Sequence, residues 1–433
     1  MKKPILFLTL LASFAQAQTP DPKMQWFADA KLGIFIHWGI FSPSEVEASW
    51  PFFQKKMPYD AYLAGRNGFT ASRYQPEEWA KLFKRAGARY VVLTSKHHDG
   101  VALWDTKQND LSIPNQTPAR RDVLTPLMRA VEREGMKKGL YFSLLDWSHP
   151  DYPIFTKDEK RYDPTQEPAR WTTFVRFYQA QLGELQRLVN PDLWWFDGQW
   201  EQDAAAWRAA ETRKQLLNFN PNAIINSRLR DHGDYSTPEQ GLPLARPQKD
   251  FWELCMTMNS TWGYTRDPDY KSPYQLLMTF AEVIGNGGNL LLNVGPKADG
   301  TLPDEQVKLL EELGRWTTKH AKGIYATVAG LPGGYFYGPS TIARDSSALY
   351  LFVPAKTTAE QLLKGIDSPV KEIRVLGSGQ KLSFREVPRR EISLGAPPVV
   401  YFRIPEAAQD ALLTVIEVIP EGRLRISRSR GHE

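Results

Sequence analysis

One cysteine in 433 residues excludes an internal disulfide. Cys255 has no partner within the chain, so the fold rests on its packed core, and a small buried side chain accounts for the thiol without chemistry. Long apolar runs are equally scarce. The exception is N-terminal: Lys2 and Lys3 precede the run Ile5 to Phe14, and Ala15-Gln16-Ala17 supplies the small residues of a cleavage site. This pattern predicts a signal peptide over residues 1–17, cleaved after Ala17, and hence a secreted or periplasmic protein. The run is too short to span a bilayer, and no later stretch is long and apolar enough, so no membrane insertion is expected. No cysteine follows the leader to carry a lipid anchor. Strong charge of one sign is missing too. The net charge of +5 loses Lys2 and Lys3 with the leader, and Arg423, Arg425, Arg428 and Arg430 add to it only in the terminal tail. Without a basic face or a recognition motif, no nucleic-acid partner is expected. Also absent are a Gly-x-Ser-x-Gly elbow, a His-Glu-x-x-His helix and a glycine-rich loop opening a helix; "GNGGNLLLNVG" leads into a strand instead.

What is present is an alternation of short apolar runs with amphipathic stretches over roughly residues 25–320. Leu32 to Ile36, Tyr90 to Thr94, Leu140 to Leu145, Leu193 to Phe196, Ala223 to Asn226 and Leu290 to Val294 read as strands. Pro76 to Ala86 reads as a helix, with Pro76 at its first position, Glu77 and Glu78 at the positive end, and Trp79, Leu82, Phe83 and Ala86 on one face before Gly87 stops it. Strand–helix alternation predicts parallel strands with helices outside. The count favours an α/β fold of the (β/α)8-like (TIM-type) barrel kind over residues 18–330. After about residue 335, runs such as Ala348 to Val353 and Leu412 to Ile419 alternate without helical partners, which predicts a C-terminal antiparallel β-sandwich over residues 335–433.

Most of the barrel strands end in a polar or aromatic cluster: HWG, KHHDG, LDW, FDG, NSR, NVGP. In a parallel barrel those ends meet at one face, where catalytic groups lie. Strand parity puts Asp197 on the same side as Trp195 and Leu193, with Trp194 and Phe196 toward the helices. A carboxylate closing so apolar a strand is costly to bury unless it is paired or used; the bland alternative is a helix cap. Most glycoside chemistry needs a second carboxylate. Asp234, Glu239 and Glu253 are the candidates: Glu239 in a turn-rich stretch that reads as a mobile loop, Glu253 in a strand where a buried pair with an arginine is the plain reading. The residues alone leave this choice open. His97 and His98 are adjacent, whereas barrel zinc sites begin with histidines one residue apart, so neither a metal nor another cofactor is expected. Fourteen tryptophans are about twice ordinary usage; most belong to the core, a few to sugar-stacking surfaces.

The stretches "KLGIFIHWGIFS", "EEWAKLFKRAGARYVVLTSKHHDGVALWDT", "GLYFSLLDWSHPDYP", "LWWFDG", "INSRL" with "GDYSTPEQ", "WELCMTMNSTWGY" and "GGNLLLNVGPKADGTLPDEQ" together resemble the glycoside hydrolase family 29 α-L-fucosidases, in family order over about residues 25–325. The resemblance implies retaining, exo-acting hydrolysis of terminal α-L-fucose from glycans. Asp197 matches the family nucleophile. Glu239 fits the usual acid/base, with Glu253 second, in a family where that residue is less uniform in position. The fucose-gripping residues fall on His37, His97, His98, Tyr141, Trp195, Arg228 and Trp262, the last offering a surface to the sugar's methyl group. Two departures bear on ring contacts and linkage: Ser49 stands where many relatives carry a fucose-binding glutamate, leaving Glu47 as a substitute only through a loop shift, and Val101 replaces the usual phenylalanine. A catalytically silent fucose-binding protein and a hydrolase of a related sugar, such as an α-L-galactoside, are the competing readings; the presence of Asp197 weighs against the first.

Overall fold

The computed structural model describes residues 21–243, 247, 251–266, 268–354, 356–387 and 398–427. The predicted leader, its cleavage point after Ala17, and Arg428 and Arg430 lie outside them. Seven parallel strands form one sheet: β1 Leu32–Ile36, β2 Tyr90–Lys96, β3 Lys137–Ser143, β4 Leu193–Asp197, β5 Ile224–Ile225, β6 Glu253–Thr257 and β7 Asn289–Val294. Their order is β5-β4-β3-β2-β1-β7-β6. Nearly every strand residue is buried, as expected when side chains on one face fill a barrel and those on the other meet helices. Leu193 and Trp195 point inward with Phe35, Tyr90, Tyr141 and Leu291. Trp194 and Phe196 join the outer core with the helices, as strand parity predicts.

The gap between β5 and β6 is closed by residues 235–239. Parallel bridges join Asn226 to Tyr235, Ser236 to Trp252 and Glu239 to Cys255. Ser227 N donates to Tyr235 O at 2.8 Å, Glu253 N to Ser236 O at 2.9 Å and Cys255 N to Pro238 O at 3.1 Å. Eight chain segments thus complete the ring. The mobile loop expected around Glu239 is in fact an irregular stave of the barrel. Its composition concealed it: Ser236, Thr237 and Pro238 make no apolar run, and no helix lies between β5 and it.

Helices follow the outward faces. Pro76–Arg85 buries Trp79, Ala80, Leu82 and Phe83, each large side chain contributing about 1.5–3 kcal/mol of transfer free energy, and Gly87 beyond it takes φ 99°. Pro273–Gly285, between β6 and β7, starts on a reciprocal cap: Ser272 Oγ accepts from Gln275 N at 3.2 Å and Gln275 Oε1 from Ser272 N at 2.8 Å. None of the helices among the described residues is long and apolar enough to cross a membrane.

Beyond helix Asp304–Lys319 the chain forms a six-stranded and a three-stranded antiparallel sheet, the first beginning at Thr327–Ala329. Alternation decides what each face covers. Leu349, Leu351 and Val353 face Leu363, Val400 and Phe402 across the sandwich, while Tyr350 and Phe352 continue the barrel's outer core. Trp316 Nε1 donates to Leu413 O at 2.8 Å across that contact. The larger sheet is therefore covered on both sides, which explains why its central strand Leu349–Pro354 is buried almost throughout.

Candidate active site

The C-terminal ends of the staves meet around a cavity of about 150 Å³, the liquid volume of about five waters, which suits one monosaccharide. His37, His97, His98, Tyr141, Trp195, Asp197, Arg228, Glu239 and Trp262 all line it, together with Phe35, Trp50 and Trp200. Sequence reasoning missed the last three. Phe35 was visible as the inward neighbour of His37; Trp50 and Trp200 stand on loops whose reach over the mouth no periodicity encodes.

Asp197 closes β4 with both oxygens engaged. Oδ2 accepts from Tyr141 Oη at 2.9 Å and Oδ1 from Arg228 Nη1 at 2.8 Å. The same guanidinium donates through Nη2 to Glu239 Oε2 at 2.8 Å, so one cation spans Asp197 and Glu239, the favoured of the two acid/base candidates. Arg228 is held in turn: Nε donates to Thr237 Oγ1 at 3.0 Å, and its guanidinium carbon lies 4.6 Å from the centre of the Trp195 ring. Burial works against its charge, but Asp197 and Glu239 outweigh it and raise the arginine pKa. Burial first, then the Asp197 charge, lifts the Tyr141 phenol well above its usual range, so it remains a donor.

The paired histidines both reach the cavity because β2 loses its regular register between Thr94 and Lys96 and the chain then turns, Gly100 N donating to His97 O at 3.1 Å. Gly100 takes φ 76°, and a Cβ there would lie 2.2 Å from Asp146 Oδ1, so the turn requires glycine. Asp146 is occupied behind the site by Lys96, at 2.9 Å in a buried ion pair. Burial lowers the pKa of all three cavity histidines, His37 to about 4, and mutual repulsion adds to the effect for His97 and His98. They are neutral imidazoles, and their neighbours fix two tautomers. Asn293 Nδ2 donates to Trp262 O at 2.7 Å, so its Oδ1 accepts from His37 Nδ1 at 2.7 Å. Ser143 Oγ donates to Leu145 O at 2.8 Å and therefore accepts from His98 Nδ1 at 2.7 Å. Both Nε2 atoms are left as acceptors, suited to sugar hydroxyls. His98 Nε2 lies 3.8 Å from Asp197 Oδ2.

Glu253 is elsewhere. It is fully buried at the start of β6 and does not line the cavity. In place of the arginine expected of a buried pair, Tyr90 Oη and Trp195 Nε1 donate to it, the latter at 2.9 Å. Burial raises its pKa to about 7, partly offset by those two bonds. Asp234, the other carboxylate weighed, pairs with Arg213 at 2.7 Å and Lys23 at 3.1 Å, away from the cavity lining. Glu47 does not line the cavity: Ala48, Trp262 and Gly263 each donate a backbone N–H to it, at 2.8, 2.9 and 3.2 Å. Ser49 is buried, at 2.7 Å from His97 Nδ1 and accepting from Asp99 N at 3.0 Å. Among the described residues no group of three or more His, Cys, Asp or Glu side chains is placed to hold a metal.

Over residues 12–322 the chain matches the family described as Alpha-L-fucosidase. It is 31% identical to an alpha-L-fucosidase of Branchiostoma floridae over 93% of this chain and 96% of that one. Among solved structures, alpha-L-fucosidase isoenzyme 1 from Paenibacillus thiaminolyticus superposes with a TM-score of 0.82 at 31% identity, covering 92% of this chain and 99% of that chain. A family 29 alpha-L-fucosidase from Bacteroides thetaiotaomicron, solved as a trapped covalent intermediate with 2-fluoro-fucosyl fluoride, gives a TM-score of 0.81 at 28% identity, covering 94% and 97%.

Proposed function

The chain belongs to the α-L-fucosidase family and is a glycoside hydrolase, and from that premise we propose that it is an exported, exo-acting enzyme releasing terminal α-L-fucose from glycans or glycoconjugates with retention of configuration. The observation that carries this reading is the Arg228 guanidinium shared between Asp197 and Glu239 at the cavity wall. Asp197, aimed by Tyr141 and Arg228, attacks the anomeric carbon and forms a fucosyl ester. The bond to the leaving oxygen breaks, and Glu239 gives that oxygen its proton. Glu239 then takes a proton from water, which attacks the same carbon, frees Asp197 and releases fucose. The Glu239 side chain is 40% exposed. To act as the acid, Glu239 leaves Arg228 and turns to the leaving oxygen. Retaining enzymes hold their two carboxyl groups about 5–5.5 Å apart, a spacing that one guanidinium serving both favours. The trapped covalent intermediate of the Bacteroides thetaiotaomicron relative supports the same order of events here.

His37, His97 and His98 receive the sugar hydroxyls, and Trp262 and Trp195 supply apolar surface. Glu253, at the floor, is not given the acid's role. Export is supported by the basic, apolar and small-residue succession over residues 1–17. Hydrolysis of an aryl α-L-fucoside by wild type and by Asp197→Ala tests the assignment: activity disappears in the variant and azide restores part of it. Equal activity in the two proteins overturns it.

A further inference from the structure

The cavity takes a single sugar, so the rest of a glycan must leave it in some direction. A groove of about 420 Å³ adjoins it, nearly three times the cavity's about 150 Å³. Trp50 and Trp262 line both spaces, so the two share a wall at the cavity's edge. Glu239 lines the cavity together with those two tryptophans, and Glu47 lines the groove. We propose that this groove binds the leaving group, and that it is built for a neutral or acidic oligosaccharide longer than one sugar. The inference rests on the fucosidase reading above.

Three features support it. The oxygen that Glu239 protonates belongs to the sugar next to fucose, which places that sugar at the edge of the cavity whose tryptophans, Trp50 and Trp262, also line the groove. The Glu47 carboxylate accepts from three backbone N–H groups and ties loop 47–50 to loop 260–263, which fixes the groove wall. Farther out, Gln54, Lys56 and Ser260 present an amide, an ammonium and a hydroxyl, donors that match saccharide hydroxyls and carboxylates, while the indole of Trp50 offers a ring face of the kind sugars pack against. A volume of about 420 Å³ lies in the range of sites that enclose ligands larger than a monosaccharide.

Gln54 is half-buried, Lys56 is exposed, and neither lines the cavity, so the Gln54→Ala/Lys56→Ala double variant leaves the chemistry and the fold intact. On a fucosylated tetrasaccharide its kcat/KM is expected to fall roughly tenfold, the worth of two lost hydrogen bonds, while on an aryl α-L-fucoside it stays within about twofold of wild type. An unchanged tetrasaccharide rate, or an equal fall on both substrates, overturns the proposal. Binding of the defucosylated trisaccharide, followed by ligand-observed NMR, reads the groove without turnover and should weaken in the variant; equal binding also overturns it. Wild type that fails to hydrolyse the aryl fucoside instead indicts the fucosidase reading, and the binding arm still decides the groove.

Discussion

At the mouth of the barrel Asp197 shares Arg228 with Glu239 and receives Tyr141, so charge is met by charge. At the floor Glu253 has two neutral donors, Tyr90 and Trp195, in hydrogen-bond reach, and its pKa climbs to about 7. The same barrel interior thus treats buried carboxyls in two ways, and the difference lies in the donor, not in the depth of burial alone. A cation keeps a carboxylate ready for chemistry; neutral donors do not repay the loss of water, and the group drifts toward its uncharged form. Trp195 is the wall between the two regimes, its indole N–H on Glu253 and its ring against Arg228.

Substitutions on either side of that wall test the contrast. Glu239→Ala should lower kcat/KM about 10²–10⁴-fold on a fucoside with a poor leaving group, far less on one with an acidic phenol, with little loss of stability. If Glu253→Ala shows that leaving-group dependence and Glu239→Ala does not, mouth and floor exchange roles. Glu253→Gln is next. A buried carboxyl whose folded pKa lies above its unfolded value contributes most at low pH. Its contribution is lost as pH rises from the ordinary carboxyl value of 4.5 to about 7, a change of about 3 kcal/mol. Urea unfolding of wild type against Glu253→Gln should show the gap between them moving in the variant's favour over that window and level above it. A gap independent of pH would mean that burial does not raise the Glu253 pKa. The smallest effect is expected from Ser49→Ala, which strips a partner from His97 Nδ1 and from Asp99 N: a loss of about 1 kcal/mol in transition-state binding, roughly fivefold in kcat/KM on an aryl fucoside. No change at all would show that packing against Tyr141, parallel to His97 within 3°, positions the ring unaided.

Much of this was legible from residue order. Alternation along Leu193 to Asp197 separates inward from outward side chains because a strand repeats every two residues. The strand-end clusters converge because parallel strands share a direction. Two things were not legible. The stave at 235–239 lacks an apolar run, so its pairing appears only once Asn226 and Cys255 are in place on either side. Glu253 and Glu239 are equivalent as letters, and only their places in the barrel separate them: Glu253 is fully buried at the start of β6, whereas Glu239, paired beside Cys255, has an exposed side chain. The histidine pair lay between these cases. Its lack of metal spacing was readable, whereas the partners of its ring nitrogens, Ser49 for His97 and Ser143 for His98, come from segments distant in the chain.

The two proposed catalytic carboxylates sit on unequal carriers. The strand of Asp197 is laddered along its length to β3, Gly139 through Ser143 pairing Leu193 through Asp197, whereas Glu239 hangs on a stave fastened by isolated bridges. Over evolutionary time an insertion beside the first would break a strand–helix unit, and one beside the second would only lengthen a connection. On the proposed roles, the carrier of the nucleophile resists insertion and the carrier of the acid tolerates it.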